Sequence, residues 1–536
     1  MRSGSGSGYS RATTAAVGGL TLLALLLRLP SLAERSLWLD EAWLANLVLT
    51  PSWGALWDEM LGRTLGSVRV APVPPLFVLA LRAVALLTGR SELGLRLLPL
   101  AASVGCVPIG YFVARRARGG ATGIAAAVCF ACLPVAVRYG QELKPYASDA
   151  LLVLVLLSLA QIIARRSEEG WCWGALAVAA SLVPGASYPA TLVLPGIALA
   201  LVPACRTRRS LALWTATHAG ALALNAVWYL TVIGPQRARP LIASYWEAGF
   251  PPAGEPLVPW IGTRATELTA FFLGTPTGPL LVATIAGFLL ARRLALVAGM
   301  TGALALAAAI LRVYPLAADR TSLYLLPFFC LSFAAAVGAL AGLRIGPRSL
   351  RWVGPIAAVV LLLWPARGSV SPQAGLIREE VAPLVRRLAA ERGASDRVYV
   401  YCGAVPAFLF YGPTVGFESE RDPAVVLGGV HRDNPAAYGG EIQPMLTPGR
   451  RLWVLFSHVA PAADGGSERD AILRYLSLYA RSISAEDAPG ASLYLFEVVS
   501  APGAVRHLKL EAGDLDNPER LRELLGPALT MPTPRP

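Results

Sequence analysis

The chain has 536 residues, 47 Lys+Arg against 34 Asp+Glu, a formal net charge of +13 and 55% hydrophobic residues, with a mean hydropathy of +0.54. That apolar excess excludes an ordinary soluble assembly of several domains. Nucleic-acid binding is not expected either, because the positive charge lies in short Arg-bearing loops without a continuous basic surface or a stacking motif.

A membrane span needs roughly 20 mostly apolar residues. Many windows between residues 12 and 366 supply them and the chain beyond 366 does not. Residues 1–366 hold 29 Lys+Arg against 14 Asp+Glu, whereas 367–536 hold 18 against 20. The fold class expected is a polytopic α-helical membrane protein of about eleven spans with a C-terminal extracytoplasmic α/β domain. The expected divisions are a transmembrane catalytic domain at 1–366, an α/β domain at 367–525 and a disordered tail at 526–536.

Arg2 and Arg11 flank a Gly/Ser-rich start and precede a span at 13–32, so the positive-inside rule places the N-terminus in the cytoplasm. Ser31 and Ala33 fit a small-x-small cleavage site, but the apolar run is too long for a signal peptide. Asp40 and Glu41, in "SLWLDEAW" (36–43), therefore emerge outside. In "PSWGALWDEML" Trp53 and Trp57 share one helical face suited to the headgroup belt. The segment "PPLFVLALRAVALLTG" (74–89) has only 16 residues with Arg82 in its middle. Read as an interfacial helix, it leaves the clusters at Arg115/Arg116/Arg118, Arg165/Arg166, Arg206/Arg208/Arg209, Arg292/Arg293 and Arg344/Arg348/Arg351 all cytoplasmic.

The spans expected are 13–32, 94–114, 121–138, 146–164, 171–184, 189–204, 211–233, 279–291, 294–312, 322–343 and 352–366. The outward loops are then 33–93, 139–145, 185–188, 234–278 and 313–321, and the tail is outside. In the tail, "REEVAPLVRRLAAERG" reads as a helix, "DRVYVYCG", "RLWVLFS" (451–457) and "SLYLFEVV" (492–499) as strands, and 468–480 as a helix. Six of the seven cysteines lie in apolar segments, so Cys402 has no partner for a disulfide within the tail, and no metal-ligand spacing is present.

Asp40 and Glu41 are adjacent, so on a helix they point about 100° apart. One reading makes them solvated acids at the start of an interfacial helix, with Asp40 as its cap. The other makes a general base at the membrane surface. The short loop in "RYGQELKPYASD" (138–149) gathers Arg138, Glu142 and Lys144, and "YPLAADRTSLYLLP" (314–327) adds Arg320 and Tyr324 at another helix end. Charges crowded there beside lipid are costly unless paired or used. Carboxylates for proton removal and cations for phosphate are what these loops offer. Tyr146 can hydrogen-bond phosphate or sugar, and Tyr245, Trp246 and Glu247 in "SYWEAGFPP" form a candidate sugar platform; both features also suit membrane-belt aromatics. His218 and Asn225 read as residues inside one span, and His458 lies at a strand end where ligands often bind.

The order of "LWLDEAW", "PVPPLFVLALRAVALLTGRSELGLRLLP", "YGQELKPYASD" and "YPLAADRTSLYLLP" resembles the GT-C superfamily of polyprenyl-phosphate-sugar glycosyltransferases, in particular bacterial relatives of the protein O-mannosyltransferases and the lipid A aminoarabinose transferase. The likeness covers most of residues 10–366. It implies a multi-pass enzyme of the bacterial plasma (inner) membrane that moves a sugar from a polyprenyl-phosphate donor to a hydroxyl of an envelope glycan, lipid or protein on the extracytoplasmic side, with inversion. Asp40 matches the first-loop acid and so carries the base role, while Glu41 holds that loop or helps to bind an acceptor or metal. For the donor phosphate the expected groups are Lys144, Arg320, Arg138 and Tyr324. For sugar or acceptor they are Glu142, Tyr146, Tyr245 and Trp246. Relatives often have Arg where this chain has Lys144, which weakens a bidentate phosphate contact there. Without a His near Asp40, no tightly bound metal or other cofactor is expected. A lipid-linked sugar transporter or flippase is the competing reading, but it should carry mid-membrane charges and internal repeats rather than charges at helix ends.

Overall fold

A computed structural model of the chain describes residues 11–30, 32–61, 72–237, 246–254, 256–275, 277–343, 352–367, 379–418, 422–431, 434, 436–461 and 466–501. Among these, contacts group 11–35 with 44–367 as a helical unit, and 36–43 with 379–501 as a second unit.

The helical unit begins with α1 (Arg11–Arg28), α2 (Leu39–Val48), α3 (Trp53–Met60) and α4 (Pro75–Thr88). The first five residues of α2 belong by their contacts to the second unit and the rest to this one. Next come α5 (Glu92–Arg118), α6 (Gly120–Cys132), α7 (Pro134–Tyr139), α8 (Tyr146–Ile163), α9 (Gly170–Ala186), α10 (Leu194–Leu201) and α11 (Arg208–Trp228). Then follow α12 (Leu257–Leu273), α13 (Thr277–Leu290), α14 (Arg292–Ile310), α15 (Leu326–Gly342) and α16 (Val353–Ala366).

Every expected span overlaps helical structure, but 121–138 and 189–204 are each broken into shorter helices. By length and composition, six stretches among the described residues are long and apolar enough to cross a membrane: 11–28, 92–118, 146–163, 208–236, 292–310 and 320–342. The pair α12 and α13, bent by 94°, passes the same test only when its two helices are taken together as one broken span. The other expected spans are apolar helices of 10–17 residues. Proline explains several breaks: α6 stops before Pro134, and Pro189, Pro195 and Pro203 divide 189–204 into 3-10, α and 3-10 turns. Helix α12 lies inside the segment 234–278, which the sequence presents as a loop. Its apolar residues recur at helical spacing, and Arg264 pairs with Glu267 one turn on at 3.0 Å. The chain is thus a polytopic α-helical membrane protein carrying a small C-terminal sheet domain.

Three arginines of the apolar helices donate to backbone carbonyls. The Arg28 guanidinium donates to Ala24 O, Phe130 O and Ala131 O at 2.8–3.0 Å and to Ser103 Oγ at 2.8 Å. Arg96 Nη1 donates to Leu32 O and Arg35 O at 2.8 and 2.9 Å. Arg82, in the middle of α4, donates to Val48 O at 3.1 Å and Thr50 O at 2.7 Å, beyond the C-terminal end of α2 where carbonyls lack helical partners. Its guanidinium also lies over the Trp53 ring. Helices α13 and α15 approach so closely that a Cβ on Gly287 would fall 1.7 Å from Ser332 O.

The second unit contains α17 (Val381–Glu391), β1 (Arg397–Val400), α18 (Val405–Tyr411), β2 (Val425–Leu427), α19 (Ala436–Ile442), β3 (Arg451–Ser457), α20 (Glu468–Ser477), β4 (Ala480–Ala488) and β5 (Ala491–Val498). The sheet order is β2-β1-β3-β5-β4, parallel across β2, β1 and β3 and antiparallel across β3, β5 and β4. Strand β4, "ARSISAEDA", is missing from the sequence reading because its charged, mostly exposed residues mark it as an edge strand.

Candidate active site

Asp40 is the second residue of α2 and Glu41 the third; both are buried, 9% and 0% exposed. The reading of Asp40 as an exposed cap is therefore wrong on both counts. The first helical hydrogen bond, from Ala42 N to Trp38 O at 2.9 Å, makes Trp38 the N-cap residue. Tryptophan has no side-chain oxygen with which to cap. The missing acceptors come from the other end of the second unit. Glu379 Oε2 accepts from Leu39 N at 2.8 Å, Tyr411 Oη from Leu37 N at 2.7 Å, and Glu380 from Ser36 N and Oγ at 3.3 and 2.9 Å. Ser36 Oγ accepts in turn from Ala382 N at 3.1 Å, in the first turn of α17.

Glu379 is itself held. Its Oε1 lies 2.7 Å from His458 Nδ1, and its Oε2 also accepts from Ser457 Oγ at 3.2 Å. His458 follows β3 with a positive φ of 49°, an uncommon conformation for a residue other than glycine. The sequence points to His458 as a strand-end residue without a partner; the partner is Glu379. The signal available for it was the "EE" pair at the start of the segment read as a helix, which the structure leaves just ahead of α17.

Within the helical unit the turn after α7 is tight: Lys144 N donates to Glu142 O at 2.7 Å and Gln141 N to Arg138 O at 3.1 Å. Arg35 Nη2 fixes it further by donating to Gln141 O at 2.7 Å. Glu142 and Lys144 are buried there, and Arg138 Nε sits 3.6 Å from Glu142 Oε1 with its guanidinium half-exposed. Tyr146 starts α8, edge-on to Tyr139 at 5.7 Å. The Arg320 guanidinium lies 6.0 Å from the Tyr146 ring and 5.5 Å from the Trp246 ring, both within cation–π reach. Arg320 is carried by a rigid turn in which Asp319 Oδ1 accepts from Thr321 N and Oγ1 at 2.8 and 2.6 Å, and Ser322 Oγ donates to Ala317 O at 2.6 Å.

The structure thus brings Tyr146, Arg320 and Trp246 together and joins Arg138 to Glu142. Tyr324 is fully buried, edge-on to Tyr314 at 6.3 Å. Its hydroxyl has no hydrogen-bond partner among the described residues. Tyr245 lies outside the described residues. Asp149 and Tyr314 are the residues that sequence reasoning passed over. Asp149 stands one turn beyond Tyr146 on α8, buried, with Ser187 as a hydrogen-bond partner and Oδ1 without one among the described residues. Burial, and next the nearby Asp149, push the Tyr314 phenol well above its ordinary range, so it remains a donor, here to Thr321 O at 3.1 Å. An acid inside an apolar run was the available signal for Asp149. His218 Nδ1 pairs with Trp214 O within its span, while Asn225 Nδ2 donates to Ala221 O one turn back and across to Ala180 O of α9. Among the described residues no three His, Cys, Asp or Glu side chains are grouped to hold a metal ion.

Residues 72–230 match the family model described as dolichyl-phosphate-mannose-protein mannosyltransferase, a stretch shorter than half the chain. No protein of curated function matches significantly. Among solved structures, ArnT from Cupriavidus metallidurans bound to undecaprenyl phosphate is similar with a TM-score of 0.51 at 13% identity, over 90% of this chain and 98% of that one. The archaeal oligosaccharyltransferase AglB from Archaeoglobus fulgidus, in complex with an inhibitory peptide and a dolichol-phosphate, is similar with a TM-score of 0.50 at 11% identity, over 90% and 74%. Over nine-tenths of its length, the chain has the fold of the GT-C membrane glycosyltransferases.

Proposed function

We propose that the protein is a membrane glycosyltransferase that moves a sugar from a polyprenyl-phosphate donor to an acceptor hydroxyl, on the extracytoplasmic side of a bacterial plasma membrane and with inversion. The observation that carries this reading is a buried carboxylate pair, Asp40 and Glu41, in the first helical turn after the first span of a chain with the GT-C fold.

A sugar hydroxyl is a poor nucleophile until a positioned base takes its proton. Asp40 accepts that proton as the acceptor oxygen bonds to the anomeric carbon. The bond from that carbon to phosphate oxygen breaks, and its electron pair leaves with the polyprenyl phosphate. Lys144 and Arg320, assisted by Arg138 and Tyr324, hold the phosphate and offset the charge it gains. Glu142, Tyr146, Tyr245 and Trp246 are assigned to sugar or acceptor, and Glu41 to holding the Asp40 turn. No resident metal is part of this proposal.

Transfer of labelled sugar from a panel of polyprenyl-phosphate sugars to membrane extracts tests it. Asp40→Asn should reduce transfer by roughly 10²-fold or more at equal protein level. Equal turnover by the variant would remove Asp40 from the base role. Failure of the wild type to consume any donor would favour a transporter of lipid-linked sugars.

A further inference from the structure

We infer that Glu379 is a positioning residue for Asp40: a carboxylate of the C-terminal domain, itself fixed by His458 and Ser457, caps the helix that carries the base and so sets its orientation. The inference rests on the transferase reading for its catalytic consequence, but its structural content stands apart from it.

Every helix begins with backbone N–H groups that have no partner inside the helix. In α2 the usual remedy is missing, since the N-cap residue is Trp38. Glu379 Oε2 supplies the acceptor for Leu39 N at 2.8 Å, and as an anion at a helix N-terminus it is favoured further by the helix dipole. Asp40 is the next residue, so a shift of the cap moves its Cα directly. Three more donors hold the approach to the helix, Leu37 N bonded to Tyr411 Oη and Ser36 N and Oγ bonded to Glu380. On either side of 36–43, Arg96 holds the carbonyls of Leu32 and Arg35, and Arg82 those of Val48 and Thr50. The acid-bearing turn is thus the one stretch between these two fixed points whose backbone donors are satisfied by the C-terminal domain among the described residues.

Glu379 is suited to this task because it cannot swing. It is 6% exposed, and its two oxygens face three donors on two elements: Leu39 N, Ser457 Oγ and His458 Nδ1. With Nδ1 aimed at the carboxylate, the imidazole donates from that nitrogen and locks the carboxylate plane. A base misplaced by about 1 Å can lose on the order of 10²-fold in rate.

The test combines hydrogen exchange and kinetics on the full-length protein in detergent or nanodiscs. In Glu379→Ala, peptides covering 36–43 should exchange at least tenfold faster, while those covering 92–118 and 451–457 stay as protected as in wild type. Transfer should show kcat lowered by roughly 10²-fold with KM for the lipid-linked donor little changed. Glu379→Gln, which keeps an acceptor for Leu39 N, should recover most of both effects. Tyr411→Phe, which removes only the bond to Leu37 N, supplies a milder variant should Glu379→Ala fail to fold, and should speed exchange at 36–43 alone. Unchanged exchange at 36–43 in both variants overturns the inference, as does a loss of kcat that Glu379→Gln does not recover. A wild type that transfers no sugar would sink the transferase reading, and exchange at 36–43 would still decide whether Glu379 orders the turn.

Discussion

Arg451 grips Asp396 as a fork, Nη2 donating to Oδ2 at 2.7 Å and Nε to Oδ1 at 3.0 Å. Trp453 Nε1 and Gly393 N add two more donors at 2.9 Å each. Burial works to raise this carboxyl, but the Arg451 hydrogen bond, followed by those of Gly393 and Trp453, outweighs it and holds the carboxyl below its ordinary 3.8. A depressed folded-state pKa contributes stability that is fully present above the unfolded value and lost as pH falls through the folded one. Asp396→Asn should therefore destabilise the domain at pH 7 by about 1–2 kcal/mol, discounted for the half-exposed Arg451. The difference from wild type in thermal unfolding should narrow between pH 5 and pH 3; an equal difference at pH 7, 5 and 3 rejects the assignment.

Arg82 is structural. Arg82→Met keeps the apolar length of α4 but leaves the carbonyls of Val48 and Thr50 without their donor, at a cost of about 2–4 kcal/mol. Arg82→Lys should recover only part of this, because an ammonium cannot span both carbonyls and lie flat on Trp53. Melting temperatures in matched detergent would check the order wild type, Lys, Met.

Arg320 should separate charge from shape. Under the transferase reading Arg320→Ala lowers kcat/KM for the lipid-linked donor by roughly 10²-fold. Arg320→Lys keeps the charge but loses the planar faces set against Tyr146 and Trp246, and should fall in between. Trp246→Ala removes one cation–π contact, and a loss of about 2–5-fold follows. Steady-state kinetics in which Arg320→Ala matches wild type would remove Arg320 from the donor site.

Gly287 is a packing requirement and Gly299 is not. Gly287→Ala drives a methyl into the Ser332 carbonyl and should cost about 1–3 kcal/mol. A Cβ at Gly299, within α14, meets nothing within 4 Å, so Gly299→Ala should be neutral or stabilising by up to about 1 kcal/mol. Thermal melts of the two variants, side by side, provide the comparison.

The helical periodicity of the membrane segments was legible because apolar runs in lipid have few alternatives to helix. Strand β3 was readable to the residue, since "RLWVLFS" is bounded by polar and Gly signals, whereas β4 was hidden by its exposed charges. The roles of cations were harder to separate. Arg28, Arg82 and Arg96 look in sequence much like Arg138 and Arg320, yet the first three bind backbone carbonyls whose positions only the tertiary packing sets. The same limit hid Glu379: its importance comes from an N–H 340 positions away, and local pattern carries no information about such a pairing.

That separation also sets an order of events during synthesis. Residue 39 leaves the ribosome 340 residues ahead of Glu379, so at the usual ~5–20 residues per second the helix bearing Asp40 waits on the order of 20–70 s for its cap. Until then Leu37 N and Leu39 N lack the partners they finally adopt. The nascent chain thus passes through a stage in which its membrane helices can insert while the turn bearing the carboxylate pair is still unfastened, and completion of the last domain is what fastens it.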